Sequence, residues 1–527
     1  MPVSSVGAAT LRAALEAGGE IALVDVREER LFADGHILTA SQIALSCLEL
    51  ELSRRAPCRA TRLVLCDGGE GLAERAAPVA EALGYHDVVT LDGGMPAWAD
   101  AGYHVWTGLN VPGKTLGEVV DQTCATPFLE AAEVKARVDA GDDLIILDSR
   151  PWDEYTDFNI PGGVDCPGAE LAYRVRDLAP DPSTTVIVNC AGRTRSIIGC
   201  QSLVNAGVPN PVFALLNGTI GWEQAGLSLE HGADRNHGDV SNKAVAWSAA
   251  AAGRLAERSG VESIDHDVLN AWLQESKQKT LYCLDVRSPS EFNAGHLPGS
   301  VSAPGGQLVQ GADDWIAVRD GRIVLIDDTG VRANMTASWL KQMGHPRVAV
   351  LQDALQGVDL ETGPVPLPVV PPTVPGVVVS DVLGREGDVT ILDLSHSLTF
   401  FRGHAAGALW TLRSRLEEAL KKLPDNRPIV VMDDRAGALA AYAVADLQRK
   451  GRDDASVLAS GLDAWRAGGG AVASGLEGML TAMDDCYHPP AELIDDPAQA
   501  DRDYIAWEVT LVEQLERDGL LRFSPLT

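Results

Sequence analysis

At 527 residues the chain is too long for one hydrophobic core and calls for roughly three to five domains. Its composition, 46% hydrophobic and 22% charged, is that of a globular protein rather than a disordered or fibrous one. The formal charge of −31 argues against nucleic acid or an anionic membrane surface as a partner. No apolar run approaches the roughly 20 residues of a membrane span, and the first residues lack a basic stretch followed by an apolar one, so a cytoplasmic protein is expected. The nine Cys are odd in number and thinly spread, with no C-x-x-C pair, so neither a disulfide framework nor a zinc site is expected.

In chain order, one unit recurs four times. A short apolar strand ends in Asp at Asp25, Asp148, Asp285 and Asp393. About ten residues later comes a second mark: Gly35-His36-Ile37, Asn159-Ile160-Pro161-Gly162, Gly295-His296-Leu297-Pro298-Gly299 and Gly403-His404-Ala405-Ala406-Gly407. A second strand follows at Leu63-Val64-Leu65, Val186-Ile187-Val188, Ile323-Val324-Leu325-Ile326 and Ile429-Val430-Val431-Met432. Three units close on a Gly-and-Trp turn ending in Trp98, Trp222 and Trp465; the third has only Leu351 to Leu355 there. Strands alternating with helical stretches such as Ala76–Leu83 and Met335–Leu340 predict mainly parallel sheets with helices on both faces.

The units predict domains at 1-108, 124-232, 258-361 and 373-470, followed by a tail, 471-527. The polar, Gly-rich stretch Trp106 to Cys124 reads as a linker, as does the charged loop His231 to Asp239, before an Ala-rich connecting helix over 244–256. Six prolines between Thr362 and Pro375 predict an extended, stiff spacer. In the tail, Tyr504, Ile505, Trp507, Val509, Leu511, Val512 and Leu515 have helical spacing, which predicts a structural helix docked by one face.

The chemistry concentrates in the second unit. The strand Thr185-Val186-Ile187-Val188 runs into Cys190, a short loop with Gly192, Arg193 and Arg195, and an apolar-periodic run capped by Ser196. A thiol between strand end and helix start faces unpaired backbone N–H groups and the positive end of the helix dipole. With two guanidinium groups nearby, thiolate is favoured over thiol, and the thiolate is the nucleophile. The same cradle suits an anionic substrate. The other loops lack this set: Asp327-Asp328 and Asp433-Asp434 stand in the third and fourth, where a carboxylate supplies no thiolate nucleophile and would repel an anionic substrate. In the first, strand alignment puts Asp67 rather than Cys66 at the nucleophile's place. Cys66 then reads as a strand-end packing residue, Cys200 as core, His36, His296 and His404 as fold geometry, and Asp148, Arg150 and Glu154 as a structural polar cluster.

The combined marks (D-x-R, G-H-x-P-G, strand-loop-helix, closing Gly and Trp) resemble the rhodanese-type sulfurtransferases, and they do so four times in tandem. The resemblance implies four α/β three-layer domains, the second catalytic and the others silent, plus a helical tail. It implies that Cys190 carries a persulfide, that Ala191, Gly192, Arg193, Thr194, Arg195 and Ser196 bind the substrate, and that no cofactor or metal is needed. The implied donor is a small anion, thiosulfate or 3-mercaptopyruvate, with cyanide or a thiol as acceptor. Two Arg suit the compact dianion, thiosulfate. Phosphatases of this fold have a longer loop with Arg six places after the Cys; here Arg195 is at plus five, which favours sulfur. A non-catalytic scaffold or sulfur-relay protein is the alternative reading of three silent units.

Overall fold

The computed structural model describes residues 3–385, 387–424, 426–458 and 461–527. Four five-stranded sheets follow one another along the chain, each with its strands in the spatial order first, fifth, fourth, second, third. Every neighbouring pair within these sheets is parallel. Parallel strands need crossover connections, and helices supply them on both faces of each sheet, as the alternating pattern predicts. Among the described residues, no helix is long and apolar enough to cross a membrane.

The repeated marks have a common physical basis. In the first three copies the strand-terminal Asp accepts from the backbone N–H and the guanidinium of the Arg two residues on; between Arg150 and Asp148 the two shortest guanidinium bonds are 2.9 and 2.8 Å. That Arg in turn donates to the carbonyl of Gly35, Phe158 or Gly295, pinning the second mark beside the strand. The His of that mark stacks on the Phe four residues earlier and hydrogen-bonds its carbonyl: His36 on Phe32, His296 on Phe292, His404 on Phe400. Asn159 does the same job in the second copy, its amide donating to the Tyr155 carbonyl at 3.2 Å. These His are parts of the fold, as expected. Trp98, Trp222 and Trp465 are buried, each donating its indole N–H to a carbonyl six residues on.

The copies share cores. Leu63 and Leu65 of the first belong to one apolar cluster with Tyr282 and Leu325 of the third. The second packs on Val331 and Met335 of the third and on the helix Asn242–Arg258, where an Ala-rich helix was expected. The segment between the first two units is not a spacer. It forms the buried helix Val111–Cys124, and Trp106 before it is fully buried with Leu511 and Leu515 of the tail. Gly113 and Gly117 explain why: a Cβ on Gly113 would run into the Gln310 carbonyl, and one on Gly117 would sit 3.2 Å from the Thr194 Cα. Small residues at i and i+4 let this helix press onto two neighbours. The tail folds into helices Pro497–Glu508 and Leu511–Asp518.

Candidate active site

The strand Thr185–Asn189 is the middle strand of the second sheet, between Val212–Leu215 and Leu144–Asp148. Cys190 leaves its carboxyl end, the end at which α/β folds hold ligands. The helix begins at Thr194, three residues earlier than a Ser196 cap would place it, so Arg193 takes the cap position. Ser196 lies in the first turn, its hydroxyl donating to the Arg193 carbonyl at 2.8 Å. The far side of the loop is closed by Thr219 and Ile220, whose amides donate to the carbonyls of Cys190 (2.8 Å) and Ala191 (3.0 Å).

The two arginines part company. Arg193 turns away from the thiol onto the helix Val111–Cys124, bonding Glu118 (2.6 and 3.0 Å) and Asp121 (2.9 Å). Arg195 stays by the sulfur, held by Glu154 through two bonds of 2.7 and 2.8 Å. Glu154 therefore belongs to this site, while Asp148 and Arg150 form the structural pair. Thr194 Oγ1 donates to Glu508 Oε1 of the tail at 2.6 Å.

Cys190 is 1% exposed. Burial pushes its thiol above the usual range; Arg195 and hydrogen bonding from Ser196 oppose that shift, and Glu508 adds to it. Burial thus works against the thiolate that the loop's charges favour, because it removes the solvation on which a thiolate depends. The cover is the tail helix. Gly192 faces Tyr504, Ile505 and Glu508, and a Cβ on it would lie 3.1 Å from the Tyr504 ring. Lys114 brings its ammonium over the rings of Tyr504 (5.0 Å) and Trp507 (5.3 Å). Burial pulls Lys114 down to about 8, with Arg195 lowering it further and Glu508 opposing. Burial likewise raises Glu118 to about 7 against the pull of Arg193.

Lys114, Glu118, Tyr504 and Glu508 are the residues that sequence reasoning missed. Lys114, Glu118 and Asp121 share one face of a helix by their spacing, and with Gly113 and Gly117 that was the available signal. Helical spacing put Tyr504 on a docked tail face, but nothing local pointed to the Cys190 loop as the place it docks, or to Glu508, since only the folded tail brings them across more than 300 residues.

Strand pairing fixes which residue stands where Cys190 does. Asp148 pairs with Asn189, Asp25 with Cys66, Asp285 with Ile326 and Asp393 with Met432. The next residues are then Cys190, Asp67, Asp327 and Asp433, and Cys66 matches Asn189. Each Asp fills its own loop. Asp67 accepts from the amides of Gly69 (2.8 Å) and Ala73 (3.0 Å). Asp327 accepts from those of Gly330 (2.7 Å) and Arg332 (3.0 Å). Asp327 also accepts from Ala333 (3.3 Å), and Asp433 likewise takes three, from Arg435 (3.0 Å), Gly437 (2.7 Å) and Ala440 (2.7 Å). Cys66 is fully buried, and burial drives its thiol well above the normal range.

This architecture is a known one. The family model of the rhodanese-like domain matches residues 7–101, 130–225, 266–360 and 379–468, and the chain belongs to that family. It is also similar throughout to a thiosulfate sulfurtransferase from Pseudomonas aeruginosa, known from its crystal structure: 46% identity, both chains fully covered, TM-score 0.95. A helix-turn-helix transcriptional regulator of Mycobacterium tuberculosis is 32% identical over 108 residues, which are 20% of this chain and 46% of that protein, so the chain spans about half of that relative's length.

Proposed function

We propose that the protein is a sulfurtransferase in which Cys190 carries sulfane sulfur as a persulfide, taken from thiosulfate and passed to cyanide or a thiol. The observation that carries this reading is the contrast between the loops: three amide cradles are filled by their own Asp carboxylate, and the cradle of the second holds a thiol beside Arg195. A thiol that can accept and release sulfur stands where the silent copies hold a fixed anion. The full-length likeness to a thiosulfate sulfurtransferase supports the same donor.

Cys190, on losing its proton to water, forms a bond to the outer sulfur of thiosulfate. The S–S bond of the donor breaks, and its electron pair leaves with sulfite. Arg195 offsets the donor's negative charge, and the loop amides cup the transferred sulfur. The acceptor then bonds to that sulfur, and the pair of the breaking bond returns to Cys190 Sγ as thiolate, giving two half-reactions in turn.

The test is turnover of thiosulfate and cyanide together with intact mass after donor alone. The wild type and Cys66→Ser are expected to turn over and to gain one sulfur, and Cys190→Ser to do neither. Sulfur loading on Cys190→Ser, or loss of turnover in Cys66→Ser, would overturn the assignment. An aryl phosphate run alongside should remain uncleaved.

A further inference from the structure

Every wall around Cys190 except one is built into a packed body. The strand Thr185–Asn189 lies behind the sulfur, Thr219 and Ile220 tie the loop on one flank, and the Gly117–Thr194 approach closes another. The remaining wall is the helix Pro497–Glu508, which reaches the loop through side chains: Tyr504 and Ile505 against Gly192, and Glu508 on Thr194. Lys114 lies under its Tyr504 and Trp507 rings, and apolar anchorage continues through Trp507 to where Leu511 and Leu515 pack with Trp106 and Val111 and Trp106 Nε1 donates to Asp518 at 2.8 Å. The helix Leu511–Asp518 is thus fixed, and Tyr504, on the helix Pro497–Glu508 before it, holds its ring over the loop.

From this we infer that Tyr504 is a specificity-determining residue, whose ring limits by size the nucleophile that can take sulfur from Cys190. The inference rests on the sulfurtransferase reading and names the acceptor class for that site: small, compact nucleophiles rather than bulky thiols. An acceptor thiolate must bring its sulfur into line with the Sγ–S bond of the Cys190 persulfide. It forms a bond to the outer sulfur as that bond breaks, the electron pair stays on Cys190 Sγ, and the acceptor leaves as a persulfide. With the Tyr504 ring so close over the loop that a Cβ on Gly192 would lie 3.1 Å from it, a bulky thiol meets the ring before it reaches the sulfur. Glycine at 192 fits the same account, since any side chain there would collide with the roof.

The experiment compares acceptors and alkylating reagents on the full-length protein. Rates with cyanide and with glutathione are measured after thiosulfate loading for the wild type, Tyr504→Ala and Tyr504→Phe. In parallel, alkylation of Cys190 by iodoacetamide and by a fluorescein maleimide is followed by the mass of its peptide. The wild type should favour cyanide and iodoacetamide. Tyr504→Ala should raise the glutathione-to-cyanide and the maleimide-to-iodoacetamide ratios at least about tenfold, and Tyr504→Phe, which keeps the ring, should resemble the wild type. Unchanged ratios in Tyr504→Ala, with its melting temperature preserved, would overturn the role, as would a wild type that uses glutathione as readily as cyanide. The alkylation ratios need no sulfur transfer. If the wild type proves inert to thiosulfate while the alkylation ratios shift, the sulfurtransferase reading fails and the size gate stands. If alkylation shows no size dependence that Tyr504→Ala relieves, the gate fails whatever the turnover.

Discussion

Arg193, three residues past Cys190, gives its guanidinium to Glu118 at 2.6 and 3.0 Å and not to the thiol's side of the loop. Arg195, two residues further on, keeps the thiol's company and lowers its pKa against the effect of burial. Two residues that look equivalent in the sequence therefore have different work.

The first prediction separates them. Arg193→Ala leaves a buried Glu118 without its partner, which costs about 3–5 kcal/mol when one member of a buried pair is removed. Urea unfolding should register that loss, and the protein that remains folded should keep its KM for thiosulfate. Arg195→Ala should instead lower kcat/KM for thiosulfate by about 10–150-fold, the equivalent of roughly 1.5–3 kcal/mol for a charge-assisted hydrogen bond. It should also move the alkylation-versus-pH curve of Cys190 to the alkaline side. An Arg193→Ala protein of normal stability with a raised KM would reverse the two roles.

A second prediction concerns acid. Burial pulls His36 down to about 3, so the unfolded chain, with its ordinary value of 6.5, binds the proton first as pH falls. The stability His36 contributes is complete above about pH 6.5 and is lost on acidification towards 3. Asn159 occupies the same place in the second copy, which makes His36→Asn a fair replacement. Asp327, raised by burial to about 6, titrates in the opposite sense over part of this range, so the quantity to follow is the difference between wild type and variant. That difference should turn against the wild type as pH falls from 6.5, by at most about 1.4 kcal/mol per pH unit. Parallel stability curves for the two proteins would show that His36 is protonated within the fold.

Two glycines in helices should respond in opposite ways to the same change. Gly113→Ala drives a methyl into the Gln310 carbonyl and to within 2.8 Å of the Val309 oxygen, so it should lower the melting temperature and loosen the helix that carries Lys114 and Glu118. Gly253, in the helix Asn242–Arg258, has open space where its Cβ would go. Gly253→Ala should stabilise the protein by about 0.5–1 kcal/mol through reduced backbone entropy in the unfolded chain. Equal effects from the two substitutions would mean that the close approach at Gly113 does not matter.

The sequence by itself determined the four units, their parallel α/β character and the loop that differs from the others. Those features rest on local rules: strand-forming runs, a D-x-R clasp closing within two residues, a His or Asn reaching back four, a Trp reaching forward six. It also determined that Asp67, not Cys66, stands at the first unit's nucleophile position, because the apolar runs of the four units end in register. Only the tertiary structure decided which Arg serves the thiol, that the stretch Val111–Cys124 is a buried helix rather than a linker, and that the tail roofs Cys190. Each of those depends on contacts between segments distant in sequence: Arg193 with Glu118, Gly113 with Gln310, Thr194 with Glu508. The packing over the loop also shifts the thiol's pKa upward. The loop's own charges favour thiolate, but desolvation depends on what lies on top of the loop, and that is set by packing across the whole chain.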